Sequence, residues 1–302
     1  MEYLRKHYLI FIGVFLVCAI IGSTSLDLAI NESIFVKYNG VSTFIGALGM
    51  TPGCGVLAFI GGVLINFLNK KNKTIVRIVL SVLSITLLFV SVYFNGEDLF
   101  GPNGYDIHSL VFVGYLVSVP LMTGFYVLGY FVSKNIKSEK LWIIIMILLA
   151  VLFVTLVVCL LGLKSFMHRP RYRIVVREGI VPFHSWFERF TGYKEIIDSY
   201  SNITKEEFKS FPSGHSTTCS ALVLLMAYLP LLNIKTKKYH VYFMYAAFAY
   251  NIFVAFTRMH IGAHYLSDVS IGALIMFIFG FVFNELLIRN KKLSSIVKEC
   301  SQ

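Results

Sequence analysis

Eight apolar runs of membrane-spanning length divide this chain, near residues 8–25, 43–68, 75–94, 109–132, 141–163, 216–233, 240–257 and 266–288. A hydrocarbon core takes roughly 20 apolar residues per helix, and any segment inside it must satisfy its own backbone polar groups. Runs this numerous therefore restrict the chain to an all-α, polytopic transmembrane helical bundle of about eight spans. Composition agrees, because 57% hydrophobic residues and a mean hydropathy of +0.73 exclude an ordinary soluble domain. Thr51-Pro52-Gly53 interrupts the second run, which predicts either a broken helix or a surface segment leading into a shorter span. No internal repeat of the kind that marks many transporters is present. The five cysteines show neither a disulfide framework nor metal-ligand spacing.

The positive charge predicts an orientation. Lys and Arg are retained on the cytoplasmic side of short loops. With the N-terminus inside, the inside segments hold Arg5 and Lys6; Lys70, Lys71, Lys73 and Arg77; Lys134, Lys137 and Lys140; Lys235, Lys237 and Lys238; and Arg289, Lys291, Lys292 and Lys298. These are sixteen of the twenty-seven cations, and nine of the other eleven fall in the 164–213 connection. Only Arg258 and Lys37 remain. The expectation is a multi-pass cell-membrane protein with both termini cytoplasmic and the 164–213 connection on the far side. Met1 to Tyr8, the apolar run after them and Gly22-Ser23-Thr24-Ser25 have the outline of a secretory signal peptide, but the run is long for one, so a retained first span is expected. The net charge of +11 reads as topology. No basic tract interleaved with exposed aromatics points to nucleic acid.

Ionisable residues cluster in three places around the last spans. Lys164 and Arg171 stand seven apart, so both cations would share a face if the preceding helix continued. Ser213-Gly214-His215, after Phe211-Pro212, precedes an apolar run, where a helix N-terminus offers backbone N–H groups to an anion. His264 and Asp268 are four apart, so a helical turn would set the carboxylate beneath the imidazole, fix its tautomer and free the other nitrogen to attack. Arg258 completes the third group. Taken singly, Lys164 and Arg171 read as snorkelling anchors and Ser213-Gly214-His215 as a helix cap. Arg258, His264 and Asp268 resist such readings, since ionisable groups in a membrane segment are costly. His260 and His264 share helical spacing but lack an intervening Glu and a clear third ligand, so no metal is expected.

These segments resemble the three signature motifs of the type 2 phosphatidic acid phosphatase family, also called lipid phosphate phosphatases. The first family motif, Lys, six residues, Arg-Pro, is met by Lys164 and Arg171, with Tyr172 in place of the proline. Arg169-Pro170 lies two positions earlier, but its lysine would fall on Gly162, so Arg169 is treated as a neighbouring cation. Pro-Ser-Gly-His is complete at Pro212 to His215. Ser-Arg, five residues, His, three residues, Asp is matched by Thr257, Arg258, His264 and Asp268, with threonine keeping the serine hydroxyl.

The resemblance implies a six-helix phosphatase core. The expected layout is N-terminal transmembrane helices over 1–140, including two extra spans most simply placed at 75–132, a core over 141–290, and a cytoplasmic tail over 291–302. It also implies roles: His264, oriented by Asp268, as nucleophile; His215 as general acid; Lys164, Arg171, Ser213, Gly214 and Arg258 as phosphate ligands; and no cofactor. The implied activity is hydrolysis of a lipid phosphate or diphosphate at the outer membrane–water interface, among membrane lipids, with phosphotransfer to an acceptor hydroxyl as the alternative and a non-catalytic transporter or binder as a third reading. Pro182, Trp186, Phe187 and Phe190, in the 172–211 connection, read equally as an aromatic belt or as a cover over the site.

Overall fold

The computed structural model describes the chain except residues 38–39, 69–72, 101–110, 180, 202 and 302, and the side chains of 100, 177, 178 and 301. Lys70 and Lys71 of the charge pattern therefore lie outside the described residues. Among the described residues there is no strand. The helices are α1 (Leu4–Ile21), α2 (Leu26–Ile34), α3 (Gly40–Leu48), α4 (Thr51–Ile65), α5 (Thr74–Phe100), α6 (Val111–Val132), α7 (Leu141–Leu156), α8 (Lys164–Met167), α9 (Tyr172–Glu178), α10 (Tyr193–Ser199), α11 (Gly214–Leu232), α12 (His240–His260), α13 (Leu266–Arg289) and α14 (Lys291–Ser301). Among the described residues eight helical stretches are long and apolar enough to cross a membrane, so the chain is an all-α multi-pass membrane protein.

The second apolar run is a broken helix. α3 ends at Leu48, and α4 restarts at Thr51 with Pro52 in its first turn, where a missing N–H costs least. The break leaves the Gly49 carbonyl to accept hydrogen bonds from Tyr250 Oη at 2.9 Å and from the Cys219 thiol at 3.2 Å.

α11 stands at the centre, packed by α12, α13 and α4, while α1 lies along α13. Its buried positions run all round the helix, as expected for one enclosed by neighbours. α4, α5 and α6 form a second group of mutually packed helices. Small residues let two of them approach closely: a Cβ on Gly62 would collide with the Tyr126 carbonyl oxygen, and one on Gly129 with that of Phe59. α14 is amphipathic and folds Leu293, Ile296, Val297 and Cys300 against the bundle.

The first motif departs from the sequence expectation. The helix that carries Lys164 does not run on to Arg171. A π-helical stretch, Val157–Leu163, precedes α8, and the helix ends at Met167 because His168 takes the left-handed conformation at φ 49°. Arg169-Pro170-Arg171 follows as non-helical chain, with Arg171 extended. Proline disfavours helical backbone in the residue before it. The two cations thus come together through a chain reversal, and helical phase plays no part.

Candidate active site

Backbone hydrogen bonds tie the three motif segments into one unit at a single end of the bundle. Ser210 N donates to Arg169 O at 3.0 Å, Ser213 N to Asp268 O at 3.0 Å, and Arg173 N to Gly262 O at 3.0 Å. Ser213 occupies the N-cap of α11, its hydroxyl accepting from Ser216 N at 3.4 Å, and Gly214 opens the helix. The position a Cβ on Gly214 would take lies 3.8 Å from Lys164 Nζ, so the glycine keeps that approach open. The expected helix N-terminus therefore stands beside the first cation of the first motif.

His264 is not on a shared helix with Asp268. It lies in the turn before α13, whereas Asp268 sits in the first turn of that helix and accepts from Tyr265 N at 2.8 Å. The carboxylate is consequently 3.8 Å from His264 Nδ1, too far for a hydrogen bond. Nδ1 instead donates to the Ser210 carbonyl at 2.6 Å. A carbonyl oxygen only accepts, so Nδ1 carries the proton and Nε2 the lone pair. The Ser210 hydroxyl in turn donates to Asp268 Oδ2 at 2.5 Å. Tautomer control thus passes from the carboxylate to a backbone carbonyl. The imidazole is 1% exposed, and burial pushes its pKa well below the ordinary 6.5, which favours the neutral ring.

Arg169 and Arg171 are both fully buried, two residues apart, and serve opposite ends. Arg169 donates to Asp268 Oδ1 at 2.6 Å, to Asp27 Oδ2 at 2.8 Å and to Ser267 Oγ at 2.7 Å, and its guanidinium lies 4.0 Å from the Tyr265 ring centroid. It is a bracket between α2, the first motif and α13. Arg171, by contrast, is within electrostatic reach of Lys164, and so is Arg258. Arg258 is fully buried in the last turn of α12, its Nη1 3.2 Å from the Cβ position of Gly46. These three cations repel one another and are answered in part by Asp98, Glu206 and Glu207, and an anion between them would relieve the remaining repulsion. The Thr257 hydroxyl plays no part there: it bonds the Val254 carbonyl at 2.8 Å within its own helix.

His215 meets two groups that the sequence reading did not single out. Its Nε2 donates to the Gly46 carbonyl at 3.1 Å, and Asp98 Oδ2 stands 3.0 Å from the same nitrogen, outside the line of that hydrogen bond. Asp98 had one sequence signal, an acidic residue at the end of an apolar run on the motif-bearing end. Asp27 had a weaker one, four residues before Asn31 on a short helix where both are fully buried. Ser210 had none, because its decisive atom is a backbone carbonyl.

The 172–211 connection folds over this end on a small core of Ile174, Val181, Phe190, Ile203 and Phe208. Trp186 stacks on Phe211 with centroids 5.5 Å apart, whereas Phe187 is 57% exposed. The aromatics therefore divide between covering the motifs and facing outward.

Buried cations, a histidine whose Nδ1 proton is held by a carbonyl and a second histidine meet at one end of a helical bundle, an arrangement suited to an anion. A model of the PAP2 superfamily matches residues 139–292, just over half of the chain, and the protein belongs to that family, the type 2 phosphatidic acid phosphatases. The match carries phosphatase-type activity in general terms. It contains all three motif segments and begins after α6. No curated protein and no solved structure gave a match.

Proposed function

We propose that the protein hydrolyses a lipid phosphate or diphosphate at the membrane–water interface through a phosphohistidine on His264. The observation that carries this reading is the His264 Nδ1–H held by the Ser210 carbonyl, which leaves the Nε2 lone pair in a ring within electrostatic reach of Lys164 and Arg258. Nε2 attacks phosphorus and forms a P–N bond as the P–O bond to the leaving group breaks, and His215 gives that oxygen its proton. Water then attacks phosphorus, the P–N bond breaks, His215 recovers the proton, and phosphate leaves. Lys164, Arg171 and Arg258, with Ser213 and the Gly214 N–H, hold the equatorial oxygens as charge redistributes. Asp268 acts on the nucleophile through Ser210 and through the turn it caps.

A lipid suits the location. The site lies where the ends of apolar helices meet, so a head group can enter while its tail stays among the spans. Purified protein in detergent, tested against phosphatidate, diacylglycerol pyrophosphate, phosphatidylglycerol phosphate and polyprenyl diphosphate with EDTA present, should release phosphate from at least one of them. Release that requires added divalent metal, or none from any lipid alongside activity on soluble phosphates, would overturn the reading.

A further inference from the structure

α5 and α6 precede the residues matched by the family, yet the last turn of α5 reaches the site. Three contacts hold that turn in place. Asn95 donates to Ser118 Oγ at 2.7 Å, Tyr115 donates to Glu97, and Tyr93 stacks on Tyr115 with centroids 6.2 Å apart. Asp98, on the following position, is 3% exposed and 3.0 Å from His215 Nε2. Burying a carboxylate against apolar helices is costly unless a charge or donor answers it. Burial opposes a second proton on the ring, and so do the other charged groups facing His215, Arg258 on α12 and Lys164 on α8, which leaves Asp98 as the group that favours it. The Gly46 carbonyl and the Asp98 carboxylate only accept, so they keep a proton on Nε2, and the negative charge of Asp98 beside the ring favours the second proton, on Nδ1, that a leaving group would take.

We propose that Asp98 is a positioning residue that holds His215 in its doubly protonated form, so that the α5–α6 hairpin completes the site for substrates whose leaving group departs as an alkoxide. The inference rests on His215 being the proton donor proposed above. An alkoxide needs that proton as the P–O bond breaks, whereas 4-nitrophenolate leaves without it. Loss of Asp98 therefore acts on one class of substrate and spares the other.

The test compares kcat/KM, which reports steps up to phosphoenzyme formation, for a dialkyl lipid phosphate and for 4-nitrophenyl phosphate in purified, folded protein. Asp98→Asn should lower the first by about 10- to 100-fold, a part of what acid–base catalysis supplies, and the second by less than about threefold on that scale. Asp98→Glu should restore part of the difference. Asp98→Ser carries the same comparison if the asparagine variant does not accumulate. Equal losses on both substrates, or none, while His215→Ala shows the selective loss, would overturn the role of Asp98. Absence of the selective loss in His215→Ala itself would instead overturn the assignment of the acid.

Discussion

The central helix α11 and the hairpin helix α6 are built for different surroundings: 78% of the α11 span is buried inside the protein, against 17% of the α6 span. In α11 the sequence must satisfy neighbours on every side, and polar residues such as Thr217 and Ser220 bond along and across the helix. The hairpin turns most of its surface outward, with Phe112, Leu116 and Phe131 exposed, and keeps a narrow polar stripe inward. Ser84, Ser91, Asn95, Asp98 and Ser118 on that stripe are nearly or fully inaccessible. A peripheral element can thus supply one charge to a site while the core supplies the remainder. Variants in the two regions should fail in different ways.

The largest effect belongs to the core. His264→Ala should reduce turnover by about 10³-fold or more, since the proposed nucleophile is gone, with expression and insertion unchanged. Alkaline quenching should retain labelled phosphate on the wild type and none on the variant; substantial residual turnover would remove His264 from the mechanism. Next come the two arginines. Arg171→Ala should lower the rate about 10²-fold through lost charge stabilisation in protein that still folds. Arg169→Ala leaves Asp27 and Asp268 buried without their cation, so it should cost about 3–5 kcal/mol of stability and appear first as a lowered Tm. If Arg169→Ala folds normally and loses more activity than Arg171→Ala, the assignment of bracket and ligand is reversed.

Hydrogen-ion dependence sharpens the same comparison at smaller amplitude. Burial lowers the His264 pKa, so the neutral, attacking ring persists as pH falls past the ordinary value. The acid limb of kcat/KM should therefore lie below pH 6.5; a limb above it would mean that the free enzyme holds His264 protonated. In the hairpin, Asn95→Ala removes a buried hydrogen bond to Ser118 and should cost about 1–3 kcal/mol while leaving 4-nitrophenyl phosphate turnover almost unchanged. A large loss on that substrate would show that the hairpin acts on the phosphate ligands. Orientation is checked without altering activity: a cysteine replacing Asp198 should react with an impermeant thiol reagent in intact cells, and one replacing Lys237 only after permeabilisation. Labelling in the opposite order would invert the proposed topology.

The eight apolar runs, Ser213 at the start of a helix and the identities of the ionisable groups were all legible in the chain, for two physical reasons. Span length and hydropathy are local properties, and a buried charge in an apolar run is too costly to be incidental. Other features were settled only by the fold. Helical spacing suggested that His264 and Asp268 share a turn, and that Lys164 and Arg171 share a face, but His168 in the left-handed region and the start of α13 at Leu266 break both helices. A backbone carbonyl, that of Ser210, took the contact expected of Asp268, and carbonyls carry no mark of residue type. Asp27, Arg169 and Asp98 meet partners far along the chain in no periodic relation: Asp27 meets Ser267 across 240 positions, Arg169 meets Asp268 across 99, and Asp98 stands against His215. Residue type and spacing determine which groups an apolar chain can tolerate, whereas which of them face one another depends on helix ends and chain reversals that only packing decides.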